Sequence, residues 1–150
     1  MKVPALQDVV QVRGGQHHTL AVTTDGSVVS CGRPTYGRLG SDGVDMSADH
    51  AVPSLQRVSL EREGVPAGGI AAGLANSGCY GGEEGRLWTW GMGGALLAAG
   101  DADDDVPAPE KVKVTKKYNG WRTVQLEFGG QHAALLGVRR EGYVVPEGAE

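Results

Sequence analysis

Cysteine is nearly absent from this 150-residue chain: Cys31 and Cys79 stand far apart and outside any paired ligand spacing. A disulfide framework and a zinc site therefore have little support, and a reducing compartment is the simple expectation. Positive charge is also short, with 14 Lys and Arg against 18 Asp and Glu and a formal net charge of -4. Attraction to nucleic acid wants a basic face that releases counterions, so contact of this segment alone with DNA should be weak. No run approaches the roughly 18 apolar residues that span a bilayer, and the opening MKVPALQDVV lacks the apolar core of a secretory signal. These absences predict a soluble, intracellular protein with no membrane partner.

The usual constellations of covalent catalysis are missing as well. No Ser-His-Asp order, metal-ligand group or paired carboxylates stand out, so neither an enzyme of that kind nor a metal or cofactor is expected. The glycine cluster Gly91-Met92-Gly93-Gly94 has no GxxxxGK[ST] pattern and no helix start behind it, so it reads as turns rather than a phosphate cradle.

What the chain does have is glycine, at 25 of 150 residues, more than twice the usual share of about 7%. Hydrophobic residues at 40% make disorder a poor explanation, and many short strands joined by glycine turns fit better. Three segments repeat one pattern: VRGGQHHTLAV from Val12, AAGLANSGCY from Ala71 and EFGGQHAALLGV from Glu127. In register, His18, Asn76 and His132 lie 58 and 56 residues apart. A second match sets Gly26 against Gly85 and Gly32 against Gly91, both 59 apart.

Asp25-Gly26 and Glu84-Gly85 each sit between short runs of alternating apolar residues, the strongest local signal for a hairpin. Residues Thr19 to Thr23 should pair with Ser27 to Cys31, and Arg86 to Trp90 should form the second strand of the later hairpin. Trp90 then holds the place of Cys31, and Trp88 and Trp90, two apart, share one face. Polar loops and proline-marked extended stretches follow, Val52 to Val58 and Val106 to Val114, where proline suits strand starts and sheet edges. About four short strands per unit without helical periodicity predict an all-β fold of propeller blades, each of four antiparallel strands. Counting from the glycine turns divides the chain into an incoming strand of a preceding blade (1–13), repeat one (14–67), repeat two (68–128), a closing partial repeat (129–140) and a tail (141–150).

The residues Gly15-Gln16-His17-His18-Thr19, Asp25-Gly26, Cys31-Gly32, Tyr36-Gly37-Arg38-Leu39-Gly40 and Trp90-Gly91, in that order, resemble the regulator of chromosome condensation family. The resemblance spans roughly Val9 to Val138 and implies a partial propeller, about two to three of the family's seven blades. In finer wording, GGQHHT, GRPTYGRLG, WGMG and the closing GGQH look like the C-terminal repeats of the family's Ran exchange factors. That likeness implies a guanine nucleotide exchange catalyst without covalent chemistry, a Ran-type small GTPase as partner, chromatin (histones or DNA) bound through the rest of the propeller, and a nuclear location. The alternative is a propeller interaction module without exchange activity, nuclear or cytoplasmic, in a ubiquitin ligase or a large complex.

On this reading Gly15, His18, Gly32, Gly40, Trp90 and Gly91 are structural positions of the repeat. His18 should hold its turn by hydrogen bonding. His17 is not required by the repeat, and the resemblance implies a part in exchange; His132 is the second candidate. The acidic loops, with Asp42, Asp45, Asp103 and Asp104, would form a negative rim toward a basic partner if they project from one face, and are otherwise solvated loops. Lys111, Lys113, Lys116 and Lys117 alternate along what reads as an edge strand, where lysine blocks unwanted pairing.

Overall fold

The computed structural model describes residues 8–60, 66–93, 104–113, 120–130 and 132–142. Ten strands and a single 3-10 turn account for its regular structure among these residues. The strands β1 (Val9–Gly14), β2 (His18–Thr23), β3 (Val28–Gly32) and β4 (Val52–Arg57) make one antiparallel sheet in sequence order. A second four-stranded sheet repeats this order with β5 (Ala67–Ala72), β6 (Asn76–Gly81), β7 (Arg86–Gly91) and β8 (Val106–Lys111). β9 (Trp121–Phe128) and β10 (Ala133–Arg139) pair as a third sheet. The all-β reading and the four-stranded antiparallel blade are both observed.

Both hairpins form in the expected register. Thr19 pairs with Cys31 and Val22 with Val28, while Ser77 pairs with Trp90 and Tyr80 with Leu87. At the first turn the Asp25 carboxylate accepts from the Thr23 hydroxyl, from the Ser27 amide at 3.0 Å and from the Ser27 hydroxyl at 3.1 Å. These donors hold its pKa below the ordinary value. The short polar side chain thus satisfies the turn locally, which is why Asp-Gly closes a hairpin here.

The division at the glycine turns needs correction. The stretch 1–13 is expected to serve a preceding blade, but Val9–Gly14 pairs with β2 and is the first strand of the same sheet. The cut before residue 14 falls at the last residue of β1, that before 129 falls between β9 and β10, and residue 68 lies inside β5. The repeated glycine marks a turn within the blade, so a repeat counted from it straddles two sheets.

The core lies between sheets rather than within one. Leu20, Val22 and Val28 of the first sheet pack with Ile70, Cys79, Trp88 and Trp90 of the second in one buried cluster. A second cluster joins Ala71 and Leu87 to Leu126 of β9, with Tyr80 and Phe128 against it. Trp88 and Trp90 are both within 1% of full burial, as their shared face predicts. Burial also raises the pKa of the Cys79 thiol, keeping it neutral in this core. The lysine expectation holds in part: Lys111 ends the edge strand β8 and Lys113 follows it, both exposed, while Lys116 and Lys117 lie outside the described residues.

Candidate functional site

Three tight turns join the first and second strands of the three sheets, and each is closed by the same backbone bond. The amide of Gly15 donates to His18 O at 2.8 Å, that of Gly73 to Asn76 O at 2.8 Å and that of Gly129 to His132 O at 2.7 Å. The first strands contact one another in succession and the fourth strands lie at the outer edges, so these turns line the inner rim at one end of the blades. Successive turns touch, since the Gln16 amide donates to Gly73 O at 3.1 Å. A side chain at Gly73 would meet the Phe128 Cβ at 2.6 Å.

His18 is consumed by the structure. It is 3% exposed, and its Nε2 lies 2.7 Å from Ser77 Oγ in the next blade. Ser77 has one hydroxyl hydrogen, which it donates to Arg38 O at 2.8 Å. His18 must therefore donate from Nε2–H, leaving Nδ1 as a bare, buried acceptor with no protein partner. Burial, reinforced by the Arg38 and His17 charges, lowers its pKa from 6.5 to about 4. Arg38 O also accepts from the Trp90 indole N–H at 3.0 Å. One carbonyl of the first blade thereby gathers two donors from the second.

Delivering that carbonyl requires an unusual loop. After Gly32 the chain turns through the 3-10 turn Thr35–Gly37, then crosses β3, where Ser30 Oγ donates to Leu39 O at 2.7 Å. The Arg38 side chain folds back, donating to Thr35 O at 2.8 Å and to Thr35 Oγ1 at 2.9 Å. Its guanidinium also lies 5.2 Å from the centre of the Tyr36 ring. Gly40 has φ +64, and a Cβ there would lie 2.5 Å from the Trp90 indole nitrogen. Only glycine meets both demands. Gly32 and Gly91 make equivalent close passes, to the carbonyl oxygens of His17 at 2.4 Å and Ala75 at 2.3 Å from their would-be Cβ atoms.

His17, by contrast, is exposed at the inner rim, with its backbone oxygen tied to the Arg33 amide at 2.8 Å. Ala75 occupies the equivalent place in the second turn, so an imidazole there is peculiar to the first blade. His132 is exposed too, but it corresponds to His18: its ring lies against Gly129 as the His18 ring lies against Gly15, with Cε1 at 2.3 Å from each would-be Cβ. The residue matching His17 in the third turn is Gln131, outside the described residues.

The acidic residues do not gather round His17. The Asp42 amide bonds Ser59 Oγ at 3.1 Å and its neighbour Ser41 bonds Arg57 O at 2.6 Å, beside the far end of the outermost strand. With strands about 4.8 Å apart, β4 lies about 14 Å from β1 across the sheet. Asp45 accepts from the Ser47 amide at 2.9 Å and the Ser47 hydroxyl at 2.7 Å, bonds that lower its pKa and make it a turn cap. Asp104 is exposed beside Asp105, whose carboxylate takes the Gly93 amide at 2.9 Å. Asp103 lies outside the described residues. The rim expected from these loops is thus divided between an outer edge and a loop tied to the second blade.

Ser77 and Arg38 were not singled out from the sequence. The one available signal was the hydroxyl following the repeat histidine position, present as Thr19 and Ser77 in the first two units. Among the described residues there is no cluster of three or more potential metal ligands and no helix long and apolar enough to cross a membrane.

Comparison with known proteins agrees with this geometry. The family described as "Regulator of chromosome condensation (RCC1) repeat" matches residues 9–38. The chain is 35% identical to "Regulator of chromosome condensation" of Mus musculus over 125 residues, covering 82% of this chain and 27% of that protein. It is 32% identical to "Probable E3 ubiquitin-protein ligase HERC3" of Homo sapiens over 132 residues, 87% of this chain and 12% of that one. Among solved structures, that of Prp20p from Saccharomyces cerevisiae, described with its binding properties to Gsp1p and histones, aligns with TM-score 0.78 at 23% identity. That alignment covers 93% of this chain and 34% of Prp20p, and at this identity it speaks for the fold alone. The chain spans about a quarter of the length of the curated regulators it matches.

Proposed function

From the regulator of chromosome condensation repeat matched at residues 9–38, the likeness to regulators of chromosome condensation and the propeller-blade fold, we propose that the chain contributes to a guanine nucleotide exchange surface for a Ran-type small GTPase. The observation that carries the reading is His17: the repeat spends its own histidine on the bond to Ser77, yet the first turn displays a second imidazole on the open inner rim. Its exposure and its anchored backbone support a contact with a partner over a role in holding the blade. The exchange is conformational. A surface that binds the nucleotide-free GTPase better than the loaded one lowers nucleotide affinity by the same factor, and no bond of the nucleotide is broken. Likeness to regulators of chromosome condensation supports chromatin as a second partner through other blades and a nuclear location.

The test is release of a fluorescent guanine nucleotide from Ran by the full-length gene product. Acceleration should drop about tenfold or more with His17→Ala, the loss of one interfacial contact made in the exchange complex, and hold with His132→Ala. A well-folded protein that leaves the intrinsic rate unchanged would instead favour an interaction module. Likeness to HERC3 supports that second reading, as does Cys31 standing where the second blade has Trp90.

A further inference from the structure

Arg38 is a buried cation without a counter-charge. It is 3% exposed, and no carboxylate among the described residues lies within ion-pair distance of it. Burial first lowers the pKa of the guanidinium, while the Tyr36 phenol raises it and the Arg33 charge lowers it again. A guanidinium nevertheless stays protonated in a protein, and an unpaired buried charge is costly to keep.

The donors left over have a definite shape. A guanidinium carries five N–H groups. Nε and Nη2 each direct one of them to Thr35, at 2.8 Å to its carbonyl oxygen and 2.9 Å to its hydroxyl, so Thr35 occupies one side of the group. Nη1 has no partner. Both of its hydrogens and the second hydrogen of Nη2 remain. Nη1 and Nη2 thus present one N–H each in parallel, the end-on pair that matches the two oxygens of a carboxylate.

The walls of this site belong to the two described four-stranded sheets. The loop 32–40 of the first lies against the second, where Arg38 O takes the Trp90 indole N–H and a Cβ at Gly37 would lie 2.5 Å from Pro107 Cα on β8. Asp105, beside that strand, is engaged by the Gly93 amide. On the solvent side the Tyr36 ring lies over the guanidinium, its centre 5.2 Å from Cζ, with the residue 46% exposed. Tyr36 holds this place at φ +65, the left-handed region that a residue with a Cβ rarely adopts. Arg33, exposed on the same loop, adds a second positive charge.

We propose that Arg38 is a docking point for an acidic side chain of a protein partner: an Asp or Glu carboxylate enters beneath the Tyr36 ring, coplanar with the guanidinium, and accepts from Nη1–H and Nη2–H together. Charge complementarity names the ligand, since two arginines stand at this loop and no described acid answers Arg38. Opening a covered, buried fork is favourable when other contacts accompany it, and a carboxylate carried by a protein brings them where a free anion does not. The exposed Arg33 draws the acid toward the loop. The inference stands apart from the exchange reading, because neither His17 nor a nucleotide takes part in it.

Fluorescence anisotropy of labelled deca-glutamate, titrated with the full-length gene product, tests this. Binding should weaken about tenfold or more with Arg38→Gln, and as much with Arg38→Lys, which keeps the charge and loses the fork. Arg33→Gln, at an exposed position, should weaken it no more than about threefold. Tyr36→Gly removes the cover and suits the left-handed backbone, so it should bind at least as tightly as the unaltered protein. Should circular dichroism show Arg38→Gln unfolded, Arg38→Lys and Tyr36→Gly decide. Acetate or inorganic phosphate, at the residue concentration of the peptide, should not displace it. A peptide that does not bind, binding retained in full by a folded Arg38 variant, or binding lost in Tyr36→Gly would overturn the proposal. Displacement by acetate or phosphate would overturn it too, by showing a site for small anions rather than for a protein partner.

Discussion

Trp90→Ala is expected to destabilise the fold by about 3–5 kcal/mol in urea denaturation followed by far-ultraviolet circular dichroism. Trp90 is 0% exposed and packs in the cluster shared by the first two sheets. Alanine leaves a cavity bounded by strands of both blades, which can close only by shifting one sheet against the other. The indole N–H is the smaller part. Arg38 O keeps the Ser77 hydroxyl as a donor when the indole is lost, so no carbonyl is left bare. Trp90→Phe, which retains most of the volume, should therefore cost only about 1–2 kcal/mol. Equal losses in the two variants would mean that the hydrogen bond rather than packing holds the seam. A loss below about 1 kcal/mol for alanine would mean that the blades do not depend on each other.

The second large effect is a pH dependence set by His18. Its folded pKa is depressed, from 6.5 to about 4, by burial first and then by the Arg38 and His17 charges. Folding therefore favours the neutral imidazole, while the unfolded chain takes up a proton as the pH falls through 6.5. Stability should be level above about pH 6.5, decline as the pH falls to about 4, and lose on the order of 3 kcal/mol across that window. The lowered carboxylates act in the same direction, Asp25 and Asp45 below the His18 window and Glu84 from its lower end, since their ordinary values are 3.8, 3.8 and 4.5. His18→Asn installs the residue that position 76 already carries and removes the titrating group. Urea midpoints measured from pH 4 to 7.5 should slope for the unaltered chain and flatten in the variant. A slope that persists in His18→Asn would assign the titration elsewhere.

Local features of the fold were legible because their causes are local. Asp25-Gly26 closes a hairpin through bonds within three residues, and the spacing of Trp88 and Trp90 fixes their common face. The pairing of Val9–Gly14 with β2 was missed because the glycine that marks the repeat marks a turn inside the blade. The seam was also hidden. It joins His18 to Ser77, Arg38 to Trp90 and Gln11 to Ile70, residues 52 to 59 positions apart, and no period within one unit encodes a contact between two. Of the candidate site, the distinction between His17 and His18 was readable from the spacing after Gly15. The position of Asp42 was not, because the long loop from Gly32 crosses its own sheet before reaching the outer edge.

The central claim, that these blades serve exchange, is tested most directly by the affinity of the full-length gene product for nucleotide-free Ran compared with Ran loaded with GDP. The account predicts preference for the nucleotide-free form by at least about a hundredfold, reduced toward parity by His17→Ala. Equal affinity for the two forms, however tight, would contradict it, because a partner that binds both states alike can shift neither.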